Sequence, residues 1–155
     1  TNKNSVNLFA EALGELISPT DYARTVKVEL SHIGIDSCGI TLKDASGLSP
    51  ANAVPAEVFT DLLIWAKGHL SDAFVSSLPR GNVDWGLRVY SDHPVLRENV
   101  IAKTGSMSGV RALAGYLKNQ KGETLAFTIL VNNYVGDPVK VQEIIRDLLK
   151  DIADK

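Results

Sequence analysis

The sequence predicts an α+β domain, an antiparallel sheet flanked by helices. Three observations lead there. Apolar residues recur at helical spacing in the first seventy or so positions. Two later segments, Val110 to Leu117 and Thr124 to Asn132, have the composition of strands and are joined by the short loop Asn119-Gln120-Lys121-Gly122. Helical spacing then returns in the last stretch, behind Asp137-Pro138.

The elements follow in order. From Val6 to Leu16 the apolar positions are Leu8, Phe9, Ala12, Leu13 and Leu16, a helix that Gly14 weakens slightly. Ser18-Pro19-Thr20 breaks it. A second helix starts near Asp21, carries Tyr22, Val26, Leu30 and Ile33 on one face, and stops at Gly34. Gly39 to Asp44 reads as a short strand, and Asp44 to Val54 as a loop rich in Ser, Gly, Pro and Asn. Pro55 opens a third helix in its first turn, with Glu57 near the positive end of the helix dipole. Its expected buried stripe is Phe59, Leu62, Leu63, Ala66 and Leu70. Leu78 to Glu98, with Pro79, Gly81, Gly86 and Pro94, reads as irregular. Val100 to Lys103 is the end of a strand. In Thr124 to Asn132 both the Leu125, Phe127, Ile129, Val131 face and the face with Ala126 and Leu130 are apolar, which a sheet covered on both sides requires. The last helix presents Val141, Ile144, Ile145, Leu148, Leu149 and Ile152.

Bulk properties exclude several functions. The chain has 155 residues, 45% of them hydrophobic and 22% charged, as in a folded domain. A net charge of −2 without a basic block gives nucleic acid no field to follow. No apolar run reaches the roughly 20 residues that span a bilayer. The single cysteine, Cys38, has no partner and reads as a small half-buried residue. His32, His69 and His93 lack metal-ligand spacing, so neither metal nor cofactor is expected. Trp65 and Trp85 read as packing residues. The chain begins at Thr1 without methionine, so a preceding segment is expected to have been removed.

Four motifs carry possible chemistry. Lys103-Thr104-Gly105 ends one strand and precedes another. K-T-G, with S-x-x-K and S-D-N, is the signature set of class A β-lactamases and penicillin-binding proteins. A lysine on a strand edge offers a cation to a substrate carboxylate. The small Thr and Gly let a peptide lie along that edge as an added strand. The N–H beyond the glycine can face a developing oxyanion. The plain alternative is a surface lysine before a turn. Ser5-Val6-Asn7 is an S-x-N at the mouth of the first helix. Its hydroxyl suits proton relay and its amide suits holding a substrate amide, while an ordinary helix cap is the plain alternative. Asp44-Ala45-Ser46-Gly47-Leu48-Ser49, with Asn52 after it, is otherwise a turn-rich loop. Leu113-Ala114-Gly115-Tyr116 is otherwise core packing.

Together these motifs resemble the C-terminal part of the class C low-molecular-mass penicillin-binding proteins, the D-alanyl-D-alanine carboxypeptidase/endopeptidase family. Ser5-Val6-Asn7 with Leu8-Phe9-Ala10-Glu11 resembles the family's S-x-N and its helix. The segment Asp44 to Ser49 resembles D-G-S-G-L-S, with Ala45 at a usual glycine. Ser77-Leu78-Pro79 and Gly86-Leu87 resemble S-L-P…G-T-L, with Trp85-Gly86-Leu87 departing from it. Ala102-Lys103-Thr104-Gly105-Ser106 and Gly109-Val110-Arg111-Ala112-Leu113-Ala114-Gly115-Tyr116 match the family's two strands closely. The resemblance covers nearly the whole chain.

The resemblance implies part of the β-lactamase/DD-peptidase fold, with residues 1–155 as the C-terminal portion of its transpeptidase-like domain. It implies a serine-type peptidase acting on peptidoglycan stem peptides through an acyl-serine and trapped by β-lactams, exported to the bacterial periplasm or cell envelope. Ser5 is then the proton-relay serine, Asn7 a ligand of the substrate amide, and Lys103 the carboxylate site. Thr104 and Gly105 line the edge, and the Ser106 backbone contributes to the oxyanion hole. The family's nucleophile is the serine of S-x-x-K, and no serine here has lysine three residues on: Ser5 is followed by Leu8, Ser46 by Ser49, Ser106 by Gly109. The chain alone is therefore expected to be inactive. A serine β-lactamase-like hydrolase and a non-catalytic peptidoglycan-binding module are the rival readings. Strands contributed from upstream in this fold would leave an edge and an apolar face uncovered here, so self-association or packing against the upstream part is expected.

Overall fold

The computed structural model describes residues 1–90 and 92–155. Four helices come first: α1 (Asn7–Ile17), α2 (Tyr22–His32), α3 (Ala56–His69) and α4 (Asp72–Ser77). A 3-10 turn at Trp85–Tyr90 and α5 (Pro94–Asn99) lead into β1 (Val100–Met107), β2 (Val110–Lys118) and β3 (Thr124–Asn132), and α6 (Pro138–Ala153) closes the chain. The sheet is antiparallel in the order β1-β2-β3.

The sheet is covered on both faces, as the doubly apolar strands require. On one face Val100, Ala102, Leu113 and Leu117 pack with Leu87, with Leu96 of α5 and with Ile145 and Leu149 of α6, all buried. On the other face Tyr116 packs with Leu63 of α3 and Leu78, beside Ile101, Ala114 and Ala126. A smaller core joins Leu30 of α2, Ile35, Ile40 and Val58 of α3. Helix α3 thus links this smaller core to the core on its own face of the sheet, and the Tyr116 hydroxyl ties it to the sheet by donating to Leu63 O at 2.6 Å. Burial raises the Tyr116 pKa, so the phenol stays protonated and able to donate.

Several expectations need correction. Gly39 to Asp44 is not a strand: one bridge, Thr41 to Ala53, is all the pairing there. Strand β1 does not end at Lys103 but runs to Met107, because Lys103 pairs with Ala114 and Met107 with Val110. The stretch from Leu78 to Glu98 holds the 3-10 turn and most of α5, each too short for a periodic signal; its Ser91 lies outside the described residues. Pro55 is the N-cap of α3, with ψ of 143°, not part of its first turn. The buried α3 residues are Val58, Leu63 and Ala66, while Phe59 and Leu70 are exposed. On α6, Ile145, Leu149 and Ala153 are buried, and Ile144 and Leu148 face out. Leu8, Phe9, Leu13 and Leu16 of α1 are exposed as well, leaving an apolar stripe. Cys38 is exposed, and Trp85 is 84% exposed rather than packed in a core. Periodicity marks a helix's apolar stripe without saying what lies opposite it.

Gly115 shows how closely β1 and β2 meet. It pairs with Ala102, and a Cβ on it would lie 2.1 Å from Ile101 O and 2.6 Å from Ala102 Cβ. Gly68 near the end of α3 has no atom within 4 Å of its Cβ position. Gly115→Ala should lower stability by about 1–3 kcal/mol through overpacking. Gly68→Ala should be neutral or raise it by about 0.5–1 kcal/mol. Urea unfolding of the two variants measures both, and equal effects would contradict the packing described.

Candidate active site

Strand β1 is an edge strand, and its edge is half covered. Ala102 N–H donates to Pro79 O at 2.9 Å, and Val100 O accepts from Gly81 N–H at 3.1 Å. The outward backbone groups of β1 therefore belong to its even-numbered residues, and by strand alternation those of Thr104 and Ser106 also face away from β2. No strand partner covers them among the described residues. The open edge thus begins where the K-T-G segment does. Gly105 lies opposite Ala112, and a Cβ there would stand 3.2 Å from the Ala112 methyl.

Lys103 shares a sheet face with Ile101, on the α3 side. Its ammonium donates to Ser5 Oγ at 2.9 Å and to Thr104 O at 2.6 Å. No ion pair of the described residues includes it. Burial lowers its pKa, the response of a half-covered cation without a counter-charge. Such a lysine is suited to receive an anion, which would satisfy the charge that the fold leaves unmatched.

Ser5 meets this lysine from 98 residues away. Its φ is +49°, in the left-handed region, which costs an L-residue about 1–2 kcal/mol. The N-cap of α1 is Val6, with no side-chain capping bond, so the Ser5 hydroxyl is not spent on the helix. Asn7 is the first residue of α1 and is exposed.

Helix α1 is held by the loop after α2. Glu11 accepts from the N–H groups of Ser46 at 2.9 Å and Ala45 at 3.3 Å. A Cβ on Gly14 would lie 2.6 Å from Ala45 Cβ, so the loop is seated on the helix where there is no side chain. Asp44 organises the loop by accepting from Gly47 N–H at 2.7 Å, from Ser49 N–H and from the Asn52 amide at 2.9 Å. Burial pulls the Asp44 carboxyl upward, but the bonds from Asn52, Gly47, Ser49 and Leu48 outweigh it and hold its pKa below the ordinary value. Glu11 is lowered by its bonds to Ser46 and Ala45. This loop is scaffold for α1, and Leu113-Ala114-Gly115-Tyr116 is scaffold for the sheet.

The sequence-derived site residues thus fall into two groups. Ser5 and Lys103 meet directly, and Thr104, Gly105 and Ser106 extend the same edge. Asn7 makes no described contact with them. Sequence reasoning missed Asn2, Lys3 and Asp84. Asn2 Nδ2 donates to Ser77 Oγ at 2.9 Å, and Lys3 Nζ lies 3.9 Å from Asp84 Oδ2. Gly86, read in the sequence only as part of the S-L-P…G-T-L likeness, lies against the edge: a Cβ on it would sit 3.4 Å from Thr104 Oγ1. Contacts between such distant positions leave no local pattern to find.

A strand edge bearing K-T-G, with an S-x-N serine on its lysine and helices on both faces, defines the penicillin-recognising fold class. Penicillin-binding protein 4 (dacB) of Haemophilus influenzae, in a crystal structure complexed with a β-lactam, matches with a TM-score of 0.90 and 29% identity over 99% of this chain and 40% of that one. An extended-spectrum β-lactamase shares the fold at a TM-score of 0.80 and 17% identity, over 99% of this chain and 60% of that one. The D-alanyl-D-alanine carboxypeptidase of Actinomadura sp. is 39% identical over 135 residues, which is 83% of this chain and 25% of the relative. The family model described as D-Ala-D-Ala carboxypeptidase 3 (S13) matches residues 1–154. The chain belongs to that family, and it spans only about a quarter of the curated relative's length.

The lowered Asp44 pKa fixes a sign. Its charged form stabilises the fold above the ordinary carboxylate value, and that contribution is lost as pH falls through the depressed folded value. Asp44→Asn should lower stability at neutral pH by about 1–2 kcal/mol, allowing for solvent screening, and flatten the acid limb of the melting curve against pH. A variant with the wild-type acid limb would show that Asp44 does not hold the loop.

Proposed function

We propose that this chain is the C-terminal portion of a serine-type D-Ala-D-Ala carboxypeptidase/endopeptidase of the bacterial cell envelope, acting on peptidoglycan stem peptides through an acyl-serine and trapped by penicillins. The observation that carries the reading is the 2.9 Å bond between Lys103 Nζ and Ser5 Oγ beside an uncovered strand edge. Family membership supports the reaction class. Among the described residues no helix is long and apolar enough to cross a membrane.

On this reading the substrate peptide lies along the open edge of β1 and adds a strand there. Lys103 and Thr104 take its terminal carboxylate, and Gly105 keeps the approach clear. A nucleophilic serine from an upstream S-x-x-K attacks the scissile carbonyl. The Ser106 N–H faces the carbonyl oxygen as it gains charge. The attacking hydroxyl's proton goes to the S-x-x-K lysine and on through Ser5, beside Lys103 with its lowered pKa, to the amine nitrogen as the C–N bond breaks. Asn7 binds the substrate amide. Water then releases the acyl group along the same proton path.

Intact mass after exposure to a penicillin tests the reading. An adduct is expected on the chain extended upstream through S-x-x-K and not on the 155 residues alone. In the extended protein, Ser5→Ala should slow acylation by about 10²–10⁴-fold. An adduct on residues 1–155 alone would place the nucleophile among their own serines. No adduct on either, with D-Ala-D-Ala peptides still bound, would favour a binding module.

A further inference from the structure

Ser5 is held in an unfavourable backbone region just before α1, whose first turn binds the Val6 carbonyl through the N–H groups of Phe9 and Ala10, both at 3.2 Å. Its φ is +49° and the cap residue Val6 makes no side-chain bond. An unrestrained serine relaxes toward extended or right-handed conformations. On the other side the restraint comes from the residues before it, where Thr1 O also accepts from Val6 N–H at 3.4 Å. Asn2 is bonded to Ser77 Oγ, which itself donates to Phe74 O at 2.7 Å, so residue 2 is fixed to the last turn of α4. Lys3 is paired with Asp84.

Asp84 is also the organiser of the turn from Arg80 to Asp84. Its Oδ2 accepts from Arg80 N–H at 2.9 Å, and its own N–H donates to Arg80 O at 2.9 Å. That turn is stitched to β1 through Gly81 and Pro79, immediately before Lys103. One carboxylate, 17% exposed, therefore touches both the segment that carries Ser5 and the turn that registers the Lys103 strand.

We infer that Lys3 and Asp84 are positioning residues for proton relay: their ion pair, beside the Asn2–Ser77 bond, holds Ser5 in its left-handed conformation and so keeps its hydroxyl on the Lys103 ammonium. The inference rests on the roles proposed above for Ser5 and Lys103. Neither Lys3 nor Asp84 needs to touch substrate. Lys3 is 43% exposed, so replacing it disturbs the anchor and leaves the cores alone.

The test is penicillin acylation of the full-length polypeptide that contains this chain, resolved into reversible binding and the first-order chemical step. Lys3→Met should slow the chemical step about tenfold, with the initial binding constant and thermal midpoint unchanged, because a displaced relay group affects chemistry before docking. Lys3→Arg keeps the cation and should restore the rate to within about twofold of wild type. An unchanged chemical step in Lys3→Met overturns the inference, as does a parallel loss of binding and chemistry or a failure of Lys3→Arg to recover. Wild-type protein that takes up no penicillin overturns the peptidase reading, and this inference with it.

Discussion

The structure depends on one unmatched charge. Lys103 is half-buried at the edge of the sheet, bonded to two neutral oxygens, and no ion pair among the described residues includes it. A fold selected only for stability has cheaper choices at such a position, since a partly desolvated cation without a counter-ion is unfavourable. On the function proposed, what surrounds Lys103 is provision for an anion that arrives from outside. The strand is open there, a glycine follows two residues later, and a serine hydroxyl is brought in from the far end of the chain.

The rest of the molecule holds those groups still. Two covered sheet faces fix β1, and Gly115 lets β2 approach it closely enough to set the register. The Asp44 loop fixes α1 through Glu11, and α1 fixes one side of Ser5. Asp84 fixes the other side through Lys3. Two short loops, each gathered around one aspartate, thus align two motifs that the sequence places about a hundred residues apart. The apolar stripe of α1, with Leu8 74% and Leu16 82% exposed, fits a chain that represents only part of its relatives' length.

Much of this was legible in the sequence, for physical reasons. Strands 110–117 and 124–132 alternate between two covered faces, so apolar composition marks them unambiguously. Helix ends at Gly34 and Asp137 follow from backbone chemistry: Gly34 has φ of +80°, and the Asp137 carboxylate caps the Val139 N–H. The K-T-G and S-x-N motifs were visible through their likeness to a family pattern of fixed residue types. What was not legible depends on partners. The outward Ile144 and Leu148 look identical in sequence to the buried Ile145 and Leu149. The short elements from 72 to 99 lack a full period, and Asn2, Lys3 and Asp84 acquire meaning only from distant contacts.

A crystal structure of the full-length protein acylated by a penicillin tests the central claim most directly. The account predicts the drug's carboxylate on Lys103 and Thr104, and its acyl carbonyl oxygen against the Ser106 N–H, with Ser5 still within hydrogen-bond reach of Lys103. A drug bound away from the β1 edge, or Lys103 left without an anionic partner in the acylated protein, would contradict it.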